Sequence, residues 1–457
     1  MFRLSKLIPA LIFLASFGVT HTLERIYDRH HLLDQYNTIF DADPNTSTPG
    51  FSSGWGRVDF RHPFCFTIFS LPIRAAAIFT SKLGGGDELK IRRDMAMLVT
   101  PFFEGAKNLI LYLTLTSLGL SLTQAIILCG VNLSSLSTLT VGSVPESFPI
   151  SSMLIVLFVW LMIRDFSPQR RESFWPWIAA GSFAIGITVT NIIPLVVLLM
   201  LGRRFGRGDK WTPVLLRSAV VGGLSLIIAF AVAALICVMY SLNPSTLLLN
   251  RQRGDLRGLG APEIGVDLAG MGNSGRTAGM DRSNAEGRRP SEELIIAAAS
   301  TFAGVIKPDI IPNEHYREYK VSDSEKPTLN FRLAYSSVRL NSLTSVTWVI
   351  LFFGILLLGA QKAYIQFGVW RAIILGSLAL LAVNFAIHHL FYGRDMFLYT
   401  PHWQVSMIYL LAGLSFLKIK KIGGSALLIA LTLSSIITGI QIVEKTIATA
   451  IVNPHFP

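Results

Sequence analysis

Two aspartates one residue apart, Asp41 and Asp43 in FDADPN, are the acidic side chains best placed to do chemistry. In extended backbone, residues two apart point the same way, so both carboxylates can address one pocket. A carboxylate held in a protein-lined cavity can take the proton of an acceptor hydroxyl. The same pair can hold a divalent cation such as Mg or Mn that steadies a phosphate leaving group. The plain alternative is a solvated Asx turn. Some twenty residues on, Arg61-His62-Pro63 pairs two phosphate-binding donors with a proline suited to the first turn of a helix; it also reads as an ordinary interfacial anchor. Arg74 and Glu104 are charges inside apolar stretches, where each needs a partner, and they are the obvious match for one another. Far along the chain, HHLFYGRDMFLYTPHW gathers Arg394, Asp395, Tyr399 and His402. Arginine forks onto phosphate and aromatic faces stack on sugar rings, although an aromatic belt with a salt bridge has the same composition.

The elements that must position these residues are membrane helices. Of the 457 residues, 51% are hydrophobic and 15% charged, and the mean hydropathy is +0.51, which a water-soluble enzyme does not reach. Apolar runs near the roughly 20 residues needed to cross a bilayer recur along the chain. Lipid offers no partner for open backbone groups, so helices are the default. The net charge of +12 falls in short clusters between apolar runs, which points to the positive-inside rule and away from nucleic acid. Cys65, Cys129 and Cys237 sit in or beside apolar segments without metal-ligand spacing and read as buried thiols.

The expected fold is an all-α integral membrane protein with about eleven transmembrane helices, in a range of ten to twelve, plus outer-face interfacial helices and one long outer loop. The spans read as 7–23, 64–81, 95–117, 120–141, 149–163, 175–201, 213–240, 343–360, 368–391, 402–417 and 424–442. They divide the chain into an N-terminal transmembrane module, 1–241, with a first outer loop at 24–63; a long outer-face loop, 242–342; and C-terminal helices, 343–457. With the N-terminus cytoplasmic, KLGGGDELKIRR, GRRFGRGDK and KIKK all fall inside. RDFSPQRRE at 164–172 then falls outside, against its charge; the candidate repair is a failed crossing at 120–141, which would need a compensating break later, near Thr188 to Pro194. Within the long loop, SEELIIAAASTFAGVIKP suits a helix lying against the outer surface.

An acidic loop after the first span, a basic-His-Pro start to the second, and a polar outer turn between late spans together resemble the GT-C superfamily of polytopic glycosyltransferases. That superfamily includes protein mannosyltransferases and aminoarabinose transferases. Here the pattern stands as FDAD, then RHPF, then FYGRDMFLYTPHW. The family's adjacent acidic pair followed by Tyr is replaced by Asp-Ala-Asp, which leaves either aspartate to match, Asp43 before Asp41. The resemblance implies a polyprenyl-phosphate sugar donor, a glycan, lipid or protein acceptor, and an inverting transfer on the outer face of a bacterial inner membrane. Asp43 or Asp41 would be the base. Arg61, His62, Arg74, Glu104, Arg394, Asp395, Tyr399 and His402 would hold substrate, with Asp41 and Asp43 as ligands if a metal is used. Two other classes fit many spans and a large loop: a transporter or flippase, and an O-antigen ligase or polymerase using His315 and Arg317.

Overall fold

The computed structural model describes residues 7–30, 32–34, 44–53, 62–165, 173–239, 313–319, 328–334, 343–366, 368–391 and 400–416, with isolated helical positions between 426 and 444. Helices dominate. The exception is an antiparallel pair inside the long loop, β1 (Asn313–Tyr319) and β2 (Thr328–Ala334), in register from Asn313 opposite Ala334 to Tyr319 opposite Thr328. The surface helix expected at 291–308 and most of the span at 424–442 lie outside the described residues.

α1 (Ile8–Arg29) carries a polar stripe, Ser16, Thr20, Glu24 and Tyr27, at helical spacing, and this is the face it buries. In an apolar helix such a stripe selects the side that meets other protein. α5 (Val99–Ser117) packs along it in the opposite direction: Phe102 meets Phe13, Asn108 meets Ser16, and Met97, just ahead of α5, reaches Arg25 near the far end of α1. The end of the bundle at the C-terminus of α1 is called the upper end below.

Between α1 and α5 lie α2 (Pro44–Ser53), α3 (Cys65–Gly84) and α4 (Glu88–Ala96). Gly85, at φ 67°, ends α3, and the Asp87 side chain caps α4 by accepting from the Leu89 N–H at 2.9 Å. α4 lies against the top of α1, where Arg93 reaches Asp28 at 2.6 Å and Arg25 reaches Asp94 at 2.7 Å. The segment joining α1 to α5 therefore starts and finishes at the upper end. It contains one long helix, so that helix does not cross.

This corrects the expected span at 64–81. α3 has the length and hydropathy of a crossing helix, yet the nine residues of α4, about 13 Å of helix, are too short to bring the chain back across a bilayer of about 30 Å. α3 packs Phe66, Ser70, Ile73 and Ala77 inward and leaves Arg74, Phe79 and Leu83 exposed, the last at 74%. Buried on one side, apolar with flanking cations on the other, it is an interfacial helix. The KLGGGDELKIRR segment consequently stands at the upper end, away from GRRFGRGDK. Its charge is locally offset: besides the two pairs above, Arg92 reaches back to Glu88.

The later helices alternate. α6 (Leu122–Ser134) rises from a capping box in which Ser121 and Gln124 exchange hydrogen bonds. It bends into a short turn, α7 (Leu136–Leu139), and ends where the Leu139 carbonyl accepts from Tyr27 Oη at 3.0 Å. α8 (Ser147–Asp165) descends, and Asp165 at its foot accepts from Trp177 Nε1 at 2.6 Å. α9 (Trp175–Ile187) climbs from there until Thr188 and Asn191 meet Ser151, one turn below the top of α8. α10 (Ile192–Leu201) returns, bringing Arg203 5.6 Å from the Phe174 ring. The expected single span 175–201 is therefore two short helices joined by a turn at Val189–Asn191, the break foreseen near Thr188 to Pro194. The two corrections cancel: with α3 out and the hairpin in, Arg164 and GRRFGR share the lower end, which removes the conflict over 164–172. The expected span at 120–141 is two helical pieces, Leu122–Ser134 and Ser137–Ser143, bent by 52° at the break between them.

α11 (Trp211–Met239) rises with Ser225 Oγ bonded to the Ile178 carbonyl at 3.3 Å. After the long loop, α12 (Leu343–Ile365) descends, α13 (Val369–Phe391) rises and α14 (Thr400–Ala412) descends, continued by a turn at Gly413–Phe416. Trp370 at the foot of α13 meets Phe416 edge-on at 4.9 Å. Gly359 and Gly413 let α12 approach this turn backbone to backbone; a Cβ on Gly413 would lie 2.0 Å from the Gly359 carbonyl oxygen. Five helices, or six with the bent pair, are long and apolar enough to cross a membrane among the described residues, and the protein is a multi-pass membrane protein of this helical class.

Candidate functional site

Of the residues singled out in the sequence, His62 and His402 are the two that the structure describes at the upper end. Phe64, just before α3, donates its N–H to the Gly186 carbonyl at 2.9 Å, and its ring fills the space above that glycine. A Cβ there would lie 1.8 Å from the ring, so only glycine admits it. This contact seats the His62-Pro63 segment on the top of α9. His62 packs near Phe66 at 6.3 Å, and His402 stands at the same end, in the first turn of α14. The charge of His62 reaches the His402 imidazole. His402 is buried, edge-on to Phe148 at 5.5 Å, while His62 is half-exposed. Trp403, fully buried, fixes the start of α14 beside them.

Beneath the histidines runs a buried chain of amides and hydroxyls. Gln404 Nε2 lies 2.8 Å from Asn132 Oδ1 and 3.0 Å from Thr138 Oγ1, and it also reaches Ser135 Oγ. Asn132 Nδ2 donates to Asn108 Oδ1 and Asn108 Nδ2 to Ser16 Oγ, both at 2.8 Å. One chain thus ties α14, α6, α5 and α1 together under the site, with its donors satisfied inside the protein as an apolar surround demands. Higher up, the backbone N–H of Glu146 in VPESF donates to Thr100 Oγ1 at 3.4 Å.

The expected Arg74–Glu104 pair does not form. Arg74 is on the exposed face of α3, whereas Glu104 Oε2 meets Lys107 Nζ at 2.6 Å, one turn along α5, with both side chains fully buried. A partner three residues away on the same helix costs less ordering than one on another element, and Arg74 is free to reach the interface. The expected pairing is thus replaced by one within α5, with Arg74 on the opposite, exposed side of α3. Asp41, Asp43, Arg61, Arg394, Asp395 and Tyr399 lie outside the described residues. In sequence, Asp43 immediately precedes α2, which is pinned to α3 by Phe51 against Phe66 and Phe69 at 4.9 and 5.8 Å. Among the described residues no group of three or more His, Cys, Asp or Glu is placed to hold a metal ion.

Two buried groups escaped the sequence reading. Glu24, on the polar stripe of α1, is wholly buried, and neither carboxylate oxygen has a hydrogen-bond partner among the described residues. Its signal was present, eight residues after Ser16 and four after Thr20. Gln404 gave none, because a glutamine beside a predicted span end has no pattern that announces four acceptors on another helix.

These features define a polytopic membrane protein with a polar, histidine-bearing site at one end of its bundle. No family model matches the sequence, and no curated protein does. Among solved structures, the chain is similar to the oligosaccharyltransferase of Archaeoglobus fulgidus in its apo form, at 12% identity and a TM-score of 0.47, over 97% of this chain and 56% of that one. It is also similar to archaeal oligosaccharyltransferase AglB from the same organism in complex with an inhibitory peptide and a dolichol-phosphate, at 14% identity and 0.45, over 98% and 56%. The complex of the A. fulgidus enzyme with Zn and sulfate gives 14% and 0.46, over 96% and 53%. The chain spans little more than half the length of those chains.

Proposed function

We propose that this protein is a membrane glycosyltransferase that moves a sugar from a polyprenyl-phosphate donor to an acceptor hydroxyl at the upper end of the bundle, taken as the outer face. The observation that carries this reading is that His62, beside Phe66, and His402, beside Phe148, stand at the same end of the bundle. They come from opposite ends of the chain, in the two stretches that sequence chemistry had picked out for phosphate and sugar. They lie at the level of an interfacial helix, beside surfaces greasy enough to face lipid. A donor that is half hydrocarbon needs such a place: its tail stays in the bilayer while its head group enters a polar site.

In the transfer, the acceptor oxygen forms a bond to the anomeric carbon from the side opposite the phosphate, and the bond from that carbon to the phosphate oxygen breaks. The acceptor proton goes to Asp43, or to Asp41, and the electron pair leaves with the phosphate. His62 and His402 donate N–H groups to phosphate oxygens as charge develops there. The first loop supplies the base, and the Phe64–Gly186 contact anchors the far end of that loop. A divalent cation held by Asp41 and Asp43 would add charge neutralisation at the phosphate; none of these steps depends on it.

The test follows release of polyprenyl phosphate from a panel of polyprenyl-phosphate hexoses and pentoses by the purified protein in nanodiscs. Asp43→Asn should lower the rate by about 10²-fold or more, and His62→Gln by less. Equal rates for wild type, Asp41→Asn and Asp43→Asn would remove the proposed base. Movement of intact donor between leaflets, with the sugar bond unbroken, would make the protein a flippase.

A further inference from the structure

At the lower end, remote from the candidate site, the chain between α10 and α11 forms a π-helical turn, Gly202–Arg207, with the sequence GRRFGR. Such turns are rare and concentrate where a protein binds or reacts. Gly208, at φ 80°, reverses the chain, and the Asp209 N–H returns to the Arg203 carbonyl at 3.2 Å. The loop is closed further by Arg203 Nη2 on Asp209 Oδ2 at 2.6 Å. Arg203 is only 1% exposed, its guanidinium 5.6 Å from the Phe174 ring, while Arg204 lies 5.5 Å from the Trp211 ring.

The closure concentrates charge. Arg207 and Arg217 are both near enough to Arg203 to act on its charge, and Asp209 is the carboxylate among them. Arg204 Nε is buried and has no hydrogen-bond partner among the described residues. Arg207 and Arg217 are exposed, so the cluster opens outward. What borders the opening is apolar: Trp175 is 73% exposed, Trp211 43% and Leu216 67%. Indoles ringed by cations, next to an aliphatic helix face, have the composition of the depth at which lipid head groups lie.

We propose that this turn is a binding site for the phosphate head group of an anionic lipid, with the acyl chains lying along the exposed apolar face of α11. Arg204, Arg207 and Arg217 supply the donors, and Trp211 sets the depth. A diester phosphate offsets the mutual repulsion of the arginines, and its chains cover Leu215 and Leu216. A free phosphate ion would satisfy the charge and leave that face uncovered, which is why the lipid is favoured.

The experiment uses the full chain in nanodiscs of phosphatidylcholine alone, of phosphatidylcholine with phosphatidylglycerol, and of phosphatidylcholine with inorganic phosphate added at the same total concentration. Thermal unfolding should shift upward with phosphatidylglycerol and not with inorganic phosphate. In Arg207→Gln and Arg217→Gln the shift, measured from each variant's own midpoint in phosphatidylcholine, should shrink. The preference for phosphatidylglycerol among lipids retained through native mass spectrometry should fall about fivefold for each arginine neutralised. Equal shifts in wild type and variants would show a diffuse surface effect and overturn the site; so would an equal response to inorganic phosphate, or none to any lipid. If a variant does not fold, lipid retention by the unsubstituted protein decides alone, with equal retention of the two lipids as the overturning result.

Discussion

Lys107 and Glu104 illustrate how a buried charge behaves when its partner is supplied by the same helix. With both side chains at 0% exposure, the pair offsets part of the desolvation that each would suffer alone. Lys107→Met should therefore destabilise the protein by about 3–5 kcal/mol, because it strands the carboxylate, while the double variant Lys107→Met/Glu104→Gln should recover most of that loss. Thermal unfolding in detergent reads the difference, and equal midpoints for the two variants would mean the pair contributes nothing. The sequence had shown Glu104 as a charge in need of a partner, and it was right on the need. It chose the wrong cation, since spacing along one helix competes with proximity in space and only coordinates rank the two. His62 and His402 are the opposite case: His62 was legible as a phosphate donor and His402 as part of a polar-aromatic cluster, but nothing in either stretch said that they stand at the same end of the bundle.

Among the elements, the hairpin of α9 and α10 and the interfacial α3 are joined where Phe64 lies over Gly186. Gly186→Ala would push a methyl group into the ring, which nothing nearby can yield to cheaply. Overpacking of this kind costs about 1–3 kcal/mol. The expected outcome is a lower unfolding midpoint for Gly186→Ala, partly restored in Gly186→Ala/Phe64→Ala, where the clash is gone. A double variant no more stable than the single one would show that the methyl group acts elsewhere. The break in 175–201 was readable as a possibility, because Thr188, Asn191 and Pro194 interrupt an apolar run. The failure of 64–81 to cross was not readable: its length and hydropathy suit a span, and amphipathic and spanning helices of this composition differ chiefly in what packs against them.

For the whole molecule, the consequence is a sidedness that two residues can report. Lys90 on α4 and Lys210 beside α11 stand at opposite ends of the bundle, although simple alternation of the apolar runs would put both inside. Cysteines introduced at the two positions should be labelled by an impermeant maleimide from opposite faces of the membrane, against a background in which the three natural cysteines are buried. Labelling of both from one face would return α3 to the list of spans. The sequence by itself determined that the chain lives in a bilayer and that its helices are built from apolar runs, and it marked FDAD, RHPF and TPHW as the stretches where chemistry is expected. Those properties follow from composition and from local spacing, which lipid makes stringent by forbidding unpaired backbone. Tertiary structure decided which runs cross, which cation meets Glu104, and that His62 and His402 share one end of the bundle. Each of these turns on packing between segments distant in sequence, as when Asp28 and Asp94 draw Arg93 and Arg25 together at the top of α1, and no local pattern encodes such a meeting.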